Sequence, residues 1–341
     1  MKIINKNKQR LIIIAEAGVN HNGNLGLAKK LVDCAALAGA DYVKFQSFKA
    51  DNLVTNYASA TKYQTTNLKK KITQYNLLKK LELNFLQHKI ILDYCKKKKI
   101  KFLSSVFDLE SLEILKFLKV KNIKVPSGEI NNYHLLDQIA IYAKKIFLST
   151  GMSNLSEIKN ALRILTKYNL KKRNIYLLHC VTSYPAPLNE SNLLAMKLIE
   201  KKFGLKTGFS DHSIGKEVSY CAVCLGASII EKHITTNNNL PGPDHKASME
   251  FKEFKDFVSS LRDIPIILGN AKKIITKSES ENKKFVRKSI VAQTKINKGD
   301  YFNLANITCK RPEGGIPPSQ WNKVVGKKSK YFFNKDDFIR I

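Results

Sequence analysis

Short apolar runs alternate with longer amphipathic segments along the first 268 residues of the chain. The spacing of apolar residues in the longer segments, three and four apart as in LSEIKNALRILTKYN (155–169), predicts helices. The short runs predict eight strands: LIIIAEAG (11–18), DYVKFQS (41–47), KFLSSVF (101–107), NIKVPSGE (122–129), KIFLSTG (145–151), NIYLLHC (174–180), KTGFSDH (206–212) and SIIEKHIT (228–235). This regular alternation indicates an α/β protein.

Eight strands that are each followed by a helix match a (β/α)₈ TIM barrel in number and in size. The competing architecture, a doubly wound open sheet, usually carries a glycine-rich dinucleotide- or phosphate-binding turn, and NHNGNLG (20–26) fits neither spacing. We therefore predict a TIM barrel catalytic domain over residues 1–270. The stretch between Phe48 and Phe85 is longer than an ordinary loop of such a barrel, which favours a functional role for it.

The pattern changes after Asn270. Residues 271–284 are charged and polar and predict a linker. From residue 285 to 341 the apolar runs are short and are separated by turn signals such as the Gly/Pro cluster of RPEGGIPPS (311–319), which predicts a small, mostly β domain. Because so small a domain has a thin core, we expect it to dock on a barrel, either that of its own chain or that of a partner chain.

Composition excludes some classes of protein. No run of about 20 apolar residues is present, so we expect no membrane span. The first apolar run meets Glu16 too early for a signal peptide, which predicts a cytoplasmic protein. The net charge of +31 makes polyanion binding an alternative function. The lysines are spread along the whole chain, however, and no nucleic-acid-binding motif accompanies them, so we expect no nucleic-acid partner.

The six cysteines do not form a disulfide framework. Cys221 and Cys224 have C-x-x-C spacing but lie in SYCAVCLGAS, an apolar helical pattern without a second pair. We therefore expect both to be reduced, buried side chains rather than a zinc or redox site.

All eight predicted strands carry polar or ionisable residues at or near their carboxyl ends. The active site of a TIM barrel lies at the carboxyl ends of its strands, so these residues are predicted to share one rim. Because side chains alternate along a strand, Lys44 and Gln46 are expected on the inner side, as are Glu231 and His233. Asp211 and Lys232 each lie between two inward-facing residues, so their side chains should point away from the barrel interior. Both are expected at the edge of the barrel, where polar partners exist.

The chemistry of these strand ends indicates an anionic ligand and a metal. Lys44 and Lys124, with several serine hydroxyls, suit a phosphate and a carboxylate, and burial of their charges is costly unless a ligand of opposite sign compensates it. His212 and His233 end adjacent strands, so their imidazoles can converge on one cation. Two imidazoles with oxygen ligands suit Mn²⁺, Zn²⁺ or Fe²⁺ better than Mg²⁺.

The strand ends also match a known set of motifs between residues 11 and 327. These are IAEAGVNHNG, ADYVKFQSFKA, KVPSGEI, LSTGM, LHCVTSYPAP, GFSDHS, IIEKHIT, PGPDHKAS and CKRPEGGIPP. Together they resemble the sialic acid synthase family, whose members condense phosphoenolpyruvate with a 2-acetamido sugar to give nonulosonic acids. The resemblance implies a barrel followed by an antifreeze-like (SAF, β-clip) domain. It also implies a domain-swapped homodimer, in which the small domain reaches over the partner's barrel, and a divalent metal, typically Mn²⁺.

Site residues follow from the resemblance, position by position. Those implied to hold phosphoenolpyruvate are Lys44, Ser105, Lys124, Ser127, Ser149, Thr182 and Ser210. The metal ligands would be His212 and His233. Those implied to bind or act on the amino sugar are Glu16, Gln46, Glu129, Tyr184, Asp244 and, from the partner chain, Arg311. Either Glu129 or Glu16 would serve as the base for the water that adds to the reacting centre.

The predicted function is N-acetylneuraminate (sialic acid) synthesis from phosphoenolpyruvate and N-acetylmannosamine or a related 2-acetamido sugar. Three alternatives to it stay open. An N,N'-diacetyllegionaminate synthase would use the same chemistry on a 2,4-diacetamido-2,4,6-trideoxymannose acceptor. An aldolase would form a Schiff base on Lys44 or Lys124 and would be trapped by borohydride. A polyanion-binding protein without catalysis would show salt-sensitive affinity for nucleic acid and would need no histidine pair.

Overall fold

A computed structural model describes residues 10–59, 73–168 and 170–341. The chain folds into two compact units that divide after Asn270. Residues 60–72, part of the long stretch that the sequence predicts to be functional, lie outside the described residues.

The first unit is a closed barrel of eight parallel strands in chain order, which confirms the predicted fold class. Each predicted strand is present, and five of them end one to four residues earlier than the apolar pattern suggests. The strands are β1 Ile12–Gly18, β2 Tyr42–Ser47, β3 Lys101–Val106, β4 Asn122–Val125, β5 Lys145–Ser149, β6 Ile175–Cys180, β7 Lys206–Asp211 and β8 Ile229–His233.

Helices surround the barrel, and two short ones lie in the described parts of the long segment after β2. In chain order they are α1 Leu25–Ala38, α2 Ala50–Leu53, α3 Gln74–Lys79, α4 Phe85–Lys97, α5 Leu109–Phe117, α6 Tyr133–Tyr142, α7 Leu155–Leu165, α8 Leu193–Phe203, α9 Glu217–Cys224 and α10 Phe251–Leu268. Short 3₁₀ turns lie between them at Ser127–Glu129, Lys172–Asn174, Leu188–Glu190 and His245–Ala247.

Local signals in the sequence set the ends of these helices. The Asn24 side chain accepts a hydrogen bond from the Leu27 backbone N–H and so caps α1. Gly39 ends the same helix with φ 82°, a left-handed conformation that glycine adopts without strain. Asn154 and Glu157 form a reciprocal capping box at the start of α7. The caps at Asn24 and Asn154 therefore fix where the rim loops after β1 and β5 enter their helices.

Strand register brings distant residues side by side at that rim. Glu16 lies opposite Lys44 on β2 and opposite His233 on β8. Ser105 lies opposite Lys124. Beneath this polar layer an apolar cluster fills the barrel, and it is made of Ile14, Tyr42, Leu103, Phe147, Tyr176, Leu178 and Ile229. The polar side chains are therefore held on a packed floor rather than over an open channel.

The second unit contains a small antiparallel sheet, which agrees with the predicted mostly β domain. Its strands are β9 Ser289–Ala292 and β10 Ile307–Lys310, and its helices are α11 Lys277–Val286 and α12 Trp321–Val324. A separate apolar core lies around Phe302 and Phe333. Helix α11 lies mostly within the segment predicted as a linker, where Thr276 and Glu279 form a capping box.

The expectation that Cys221 and Cys224 are buried is wrong. Both thiols are free and exposed on α9. The buried residues of this helix are Val218, Ser219, Ala222 and Val223, so the cysteines face outward. None of the helices in the described residues is long and apolar enough to cross a membrane.

Candidate active site

A cavity of about 460 Å³ opens at the carboxyl ends of the barrel strands. Every site residue that the sequence predicts within the barrel lines this cavity, namely Glu16, Lys44, Gln46, Ser105, Lys124, Ser127, Glu129, Ser149, Thr182, Tyr184, Ser210, His212, His233 and Asp244. One further part of its wall is apolar and comes from the segment after β2, with Leu53, Val54, Leu77, Leu78 and Leu81.

Two lysines and two glutamates form a buried charge cluster at the floor of the cavity. Lys44 Nζ lies 2.8 Å from Glu16 Oε2 and 3.6 Å from Glu231 Oε1. Lys124 Nζ lies 3.3 Å from the same Glu231 oxygen. Lys44 also donates to Ser105 Oγ at 2.9 Å, and Ser210 Oγ donates to Glu231 Oε1 at 2.8 Å. Glu231 therefore bridges the two ammonium groups.

This cluster corrects one expectation from the sequence. The ammonium charges of Lys44 and Lys124 were expected to be compensated by a ligand, but carboxylates of the chain already compensate them. Glu231 is the residue that the predicted site lacks. Its alternation with His233 along β8 points it inward, and that pattern is visible in the sequence; its position between two lysines from β2 and β4 is not.

The pKa values of the cluster follow from burial and pairing. Burial lowers the pKa of Lys44, but Glu16 and Glu231 raise it by more, so the net shift is upward. For Lys124, burial outweighs the attraction of Glu231, so its pKa is lowered. Burial raises the pKa of Glu231, but Lys124 and Lys44 overcome this and bring it to about 2. Glu231 is thus ionised at neutral pH and is held by both lysines.

His212 and His233 meet at one side of the cavity, with ring centroids 5.5 Å apart. The Tyr184 ring lies 4.2 Å from the His212 ring and 5.5 Å from the His233 ring. Burial lowers the pKa of His212 to about 4 and that of His233 well below its usual value. Both imidazoles are therefore neutral at pH 7, which is the form that binds a metal ion.

The donor atoms of this pair fit a divalent cation. His212 Nδ1 lies 2.6 Å from the Val181 carbonyl, so Nδ1 carries the proton and Nε2 keeps its lone pair. His233 Nδ1 is buried and has no hydrogen-bond partner among the described residues. In residues 10–59, 73–168 and 170–341, no three His, Cys, Asp or Glu side chains form a metal-binding group. A metal here would take two imidazoles from the protein and its other ligands from substrate or solvent.

Hydroxyl groups also line the cavity. Ser127 Oγ accepts a hydrogen bond from the Gly151 backbone N–H at 3.1 Å and lies 3.2 Å from Cys180 Sγ. A Cβ on Gly151 would come within 2.9 Å of Ser127 Oγ and 2.8 Å of Thr182 Cγ2. Glycine at this position therefore lets β4, β5 and β6 deliver their hydroxyls to one small volume.

The residues predicted to contact a sugar are divided between the two units. Gln46 donates to Glu16 Oε1 at 3.2 Å, and Asn132 donates to Glu129 Oε2 at 2.8 Å, so both carboxylates are oriented. Burial raises the pKa of Glu129. Arg311 is the predicted site residue that lies in the second unit, where its side chain is exposed.

Asp211 and Lys232 do not lie at an exposed edge of the barrel. Both are buried, and Lys232 Nζ lies 3.0 Å from Asp211 Oδ2. They are neighbours across β7 and β8. Their polar partner is therefore each other, which a pattern read along one strand does not reveal.

The sequence model of the NeuB family matches residues 31–273, and that of the SAF domain matches residues 287–341. The N,N'-diacetyllegionaminic acid synthase of Campylobacter jejuni is 48% identical over 332 residues, which cover 97% of this chain and 99% of that protein. The chain belongs to the NeuB family. The resemblance to sialic acid synthases is thereby confirmed.

Two further proteins are similar to this chain over most of their length. The N,N'-diacetyllegionaminic acid synthase of Legionella pneumophila is 42% identical, covering 93% of this chain and 89% of that protein. A crystal structure of N-acetylneuraminic acid (sialic acid) synthetase from Leptospira borgpetersenii has a TM-score of 0.70 and 34% identity, covering 82% of this chain and 94% of that one.

An Asp244→Asn variant is expected to change how the stability of the protein depends on pH. Burial, reinforced by Glu16, raises the pKa of Asp244 from 3.8 to about 7. Between these values the unfolded chain releases a proton that the folded chain keeps, so the wild type loses stability as pH rises through this window. The asparagine variant lacks this loss. Its unfolding free energy relative to that of the wild type should therefore rise by about 3 kcal/mol between pH 5 and pH 8.

Urea denaturation of both proteins at pH 5 and pH 8 measures this gain. A difference in unfolding free energy between variant and wild type that stays constant across the two pH values would contradict the assignment.

Proposed function

We propose that the protein condenses phosphoenolpyruvate with the open-chain aldehyde of an acetamido sugar, forming a nonulosonic acid and releasing phosphate. The observation that carries this proposal is the cavity at the rim of the barrel, which is lined both by two buried lysines and by two neutral, neighbouring imidazoles. An anionic substrate and a divalent ion are the ligands that this arrangement suits. Membership of the NeuB family supports the same chemistry.

Lys44 and Lys124 would bind the anionic groups of phosphoenolpyruvate. Hydrogen bonds from Ser105, Ser127, Ser149, Thr182 and Ser210 would complete the binding site. The two ammonium groups are set in place by Glu231 before substrate arrives, so little reorganisation is needed on binding. Glu231 is therefore a positioning residue for both lysines.

His212 and His233 would hold the divalent ion, for which we propose Mn²⁺. When bound, the ion supplies Lewis-acid polarisation of the aldehyde oxygen. The methylene carbon of phosphoenolpyruvate forms the new bond to the aldehyde carbon as the C=O π bond breaks, the aldehyde oxygen takes up a proton, and positive charge develops at C2. Water adds at C2 and gives up a proton. The C–O bond then breaks, phosphate leaves with its bridging oxygen, and the new C2 hydroxyl loses its proton to become the ketone.

Glu129 is proposed as the base that takes the proton from this water. Within the described part of the chain, Gln46 and Lys44 engage the two oxygens of Glu16, whereas a hydrogen bond engages only Oε2 of Glu129. Burial raises the pKa of Glu129, as it does that of Glu16, so the preference for Glu129 rests on these contacts. Glu16 would instead orient Lys44.

For the acceptor we propose the 2,4-diacetamido-2,4,6-trideoxy sugar used to make N,N'-diacetyllegionaminate. The apolar wall formed by Leu53, Leu77, Leu78 and Leu81 suits the methyl group at C6 and the second acetamido methyl. The relatives at 48% and 42% identity carry this product in their names. N-acetylmannosamine is the second candidate, since a structure 34% identical is named for sialic acid.

Phosphate release from phosphoenolpyruvate tests the function and the acceptor together. The protein is assayed with Mn²⁺ and one of three acceptors: the diacetamido sugar, N-acetylmannosamine or N-acetylglucosamine. We expect kcat/KM to be at least about tenfold higher for the diacetamido sugar, because each methyl group that is buried contributes about 1 kcal/mol or more. Release that needs no acceptor would refute the condensation, and a preference for N-acetylmannosamine would refute the choice of acceptor.

We further propose that the protein works as a domain-swapped homodimer in which Arg311 of one chain completes the partner's cavity. Arg311 is exposed, and the second unit that carries it has a small core of its own around Phe302 and Phe333. An exposed guanidinium on a small domain suits recognition of a polar substrate across an interface.

Complementation between two inactive variants tests this arrangement. His233→Ala removes a proposed metal ligand and Arg311→Ala removes the proposed partner residue, so each homodimer should be nearly inactive. When the two chains are mixed and allowed to exchange, half of the dimers should be mixed, and one site in each mixed dimer is intact. About a quarter of the wild-type activity should return. No recovery, although the subunits have exchanged, would place Arg311 in the cavity of its own chain.

The two other classes of function have separate tests. A Schiff-base aldolase would be inactivated by borohydride in the presence of substrate, with modification of Lys44 or Lys124. Lys124 has a lowered pKa, as a nucleophilic lysine requires, but it lies 3.3 Å from Glu231 Oε1. A polyanion-binding protein would keep its affinity for nucleic acid after substitution of His233. The family assignment favours the condensation over both.

A further inference from the structure

A second buried ion pair lies directly behind the two histidines. Asp211 immediately precedes His212 at the end of β7, and Lys232 immediately precedes His233 at the end of β8. Their side chains meet at 3.0 Å, and each is about 1% exposed or less. Because side chains alternate along a strand, this pair lies on the helix side of the barrel wall, while the imidazoles face the cavity.

The same pair also holds the backbone immediately after His212. Asp211 Oδ1 accepts hydrogen bonds from the Ser213 backbone N–H at 2.9 Å and from Ser213 Oγ at 2.6 Å. Lys232 Nζ donates to the Ser213 carbonyl at 2.6 Å. Ser219 Oγ, on α9, donates to Asp211 Oδ2 at 2.6 Å. One ammonium group on β8 therefore fixes the turn that carries His212.

The energetics of this pair favour a geometric role over a stabilising one. Transfer of two charges from water into the wall of a barrel is costly, and apolar residues of similar size are often as stabilising as a buried ion pair. Apolar side chains at positions 211 and 232 would fill the same space equally well, but they would not link Ser213 to β8. What the charged pair adds is a fixed separation between the two strand ends.

We propose that Asp211 and Lys232 are positioning residues that set the orientation of the His212 ring relative to the His233 ring, and thereby the affinity for the divalent ion. This inference rests on the metal site of the proposed function. Substitution of a residue that orients a metal ligand typically changes the affinity for the metal by about 10- to 100-fold.

The test uses a double variant, Asp211→Asn with Lys232→Met. It removes the ion pair without leaving either charge buried alone, and asparagine keeps an acceptor for Ser213. Mn²⁺ binding to the full-length protein in the presence of phosphoenolpyruvate is measured by the electron paramagnetic resonance signal of free Mn²⁺. We expect the dissociation constant for Mn²⁺ to rise at least about tenfold. At saturating Mn²⁺, kcat should recover to a large extent while KM for phosphoenolpyruvate changes little.

Arg262→Met provides a matched control at the other end of the barrel. Arg262 lies 2.7 Å from Asp41 and donates to the Leu11 carbonyl, so it too joins strand ends through an ion pair. This variant should lower the melting temperature without changing the dissociation constant for Mn²⁺.

Three outcomes separate the inference from its premise. If the double variant binds Mn²⁺ as tightly as the wild type, the positioning role is wrong and the proposed metal site stands. If Arg262→Met weakens Mn²⁺ binding by the same factor, the effect is general destabilisation and the inference is again wrong. If the wild type itself binds no Mn²⁺, the proposed metal site fails, and the inference fails with it.

Discussion

Replacing His233 with alanine is expected to lower the rate of acceptor-dependent phosphate release by roughly 1,000-fold. The reason is the loss of one of two neutral imidazoles that meet in the cavity with ring centroids 5.5 Å apart. Lewis-acid polarisation of a carbonyl contributes several kcal/mol, and each 1.4 kcal/mol changes a rate about tenfold. The loss should be accompanied by loss of the response to added Mn²⁺.

His179→Ala is the matched control for this variant. His179 also lies on a barrel strand, β6, but its Nε2 bonds to the Ser191 carbonyl and its ring packs against Phe209. It does not line the cavity. We expect its activity to stay within a few-fold of wild type and its Mn²⁺ response to be retained. Unchanged turnover in His233→Ala would rule out the proposed ligand.

The Lys44→Met and Lys124→Met variants are both expected to lose about 1,000-fold or more in kcat/KM for phosphoenolpyruvate. They should differ, however, in their unfolding free energy. Lys44→Met leaves Glu16 without the ammonium group 2.8 Å away. Removal of one partner from a buried pair costs about 3–5 kcal/mol. Lys124→Met leaves Glu231 still 3.6 Å from Lys44, so its cost in unfolding free energy should be smaller.

Denaturant unfolding and steady-state kinetics on the same two variants separate these effects. Lys44→Met should lose both stability and turnover, whereas Lys124→Met should remain folded and lose turnover. Equal loss of stability in both variants would show that Glu231 depends on both lysines alike. A Lys124→Met protein with wild-type kcat/KM would remove this lysine from the proposed substrate site.

Much of the barrel is predictable from the sequence because its signals are local. Each strand is a short apolar run with polar residues near or just beyond its carboxyl end, from Glu16 on β1 to His233 on β8. The inward direction of Lys44 and Gln46 follows from alternation alone. The resemblance to a known family then indicates which strand ends belong to one site.

The partners of these residues are not predictable in the same way. Glu231 meets Lys124 from a strand more than a hundred residues away, and this contact depends on register around the closed barrel. The pairing of Asp211 with Lys232 depends likewise on how β7 and β8 align. An alternating pattern gives the face of a side chain and says nothing about its neighbour on the next strand.

The error at Cys221 and Cys224 has a related origin. Residues three apart share one face of a helix, but an apolar sequence does not fix which face turns toward the barrel. Val218, Ala222 and Val223 occupy the inner face of α9, and the thiols are therefore outside.

Acceptor-dependent phosphate release, followed with and without a chelator, is the most direct measurement of the proposed chemistry. With phosphoenolpyruvate, Mn²⁺ and the diacetamido sugar, we predict release of one phosphate for each nonulosonic acid formed. Release should stop when the sugar is left out or when chelator removes the metal. Full activity in chelator, or phosphate release at the same rate without any sugar, would contradict a metal-assisted condensation at the rim of this barrel.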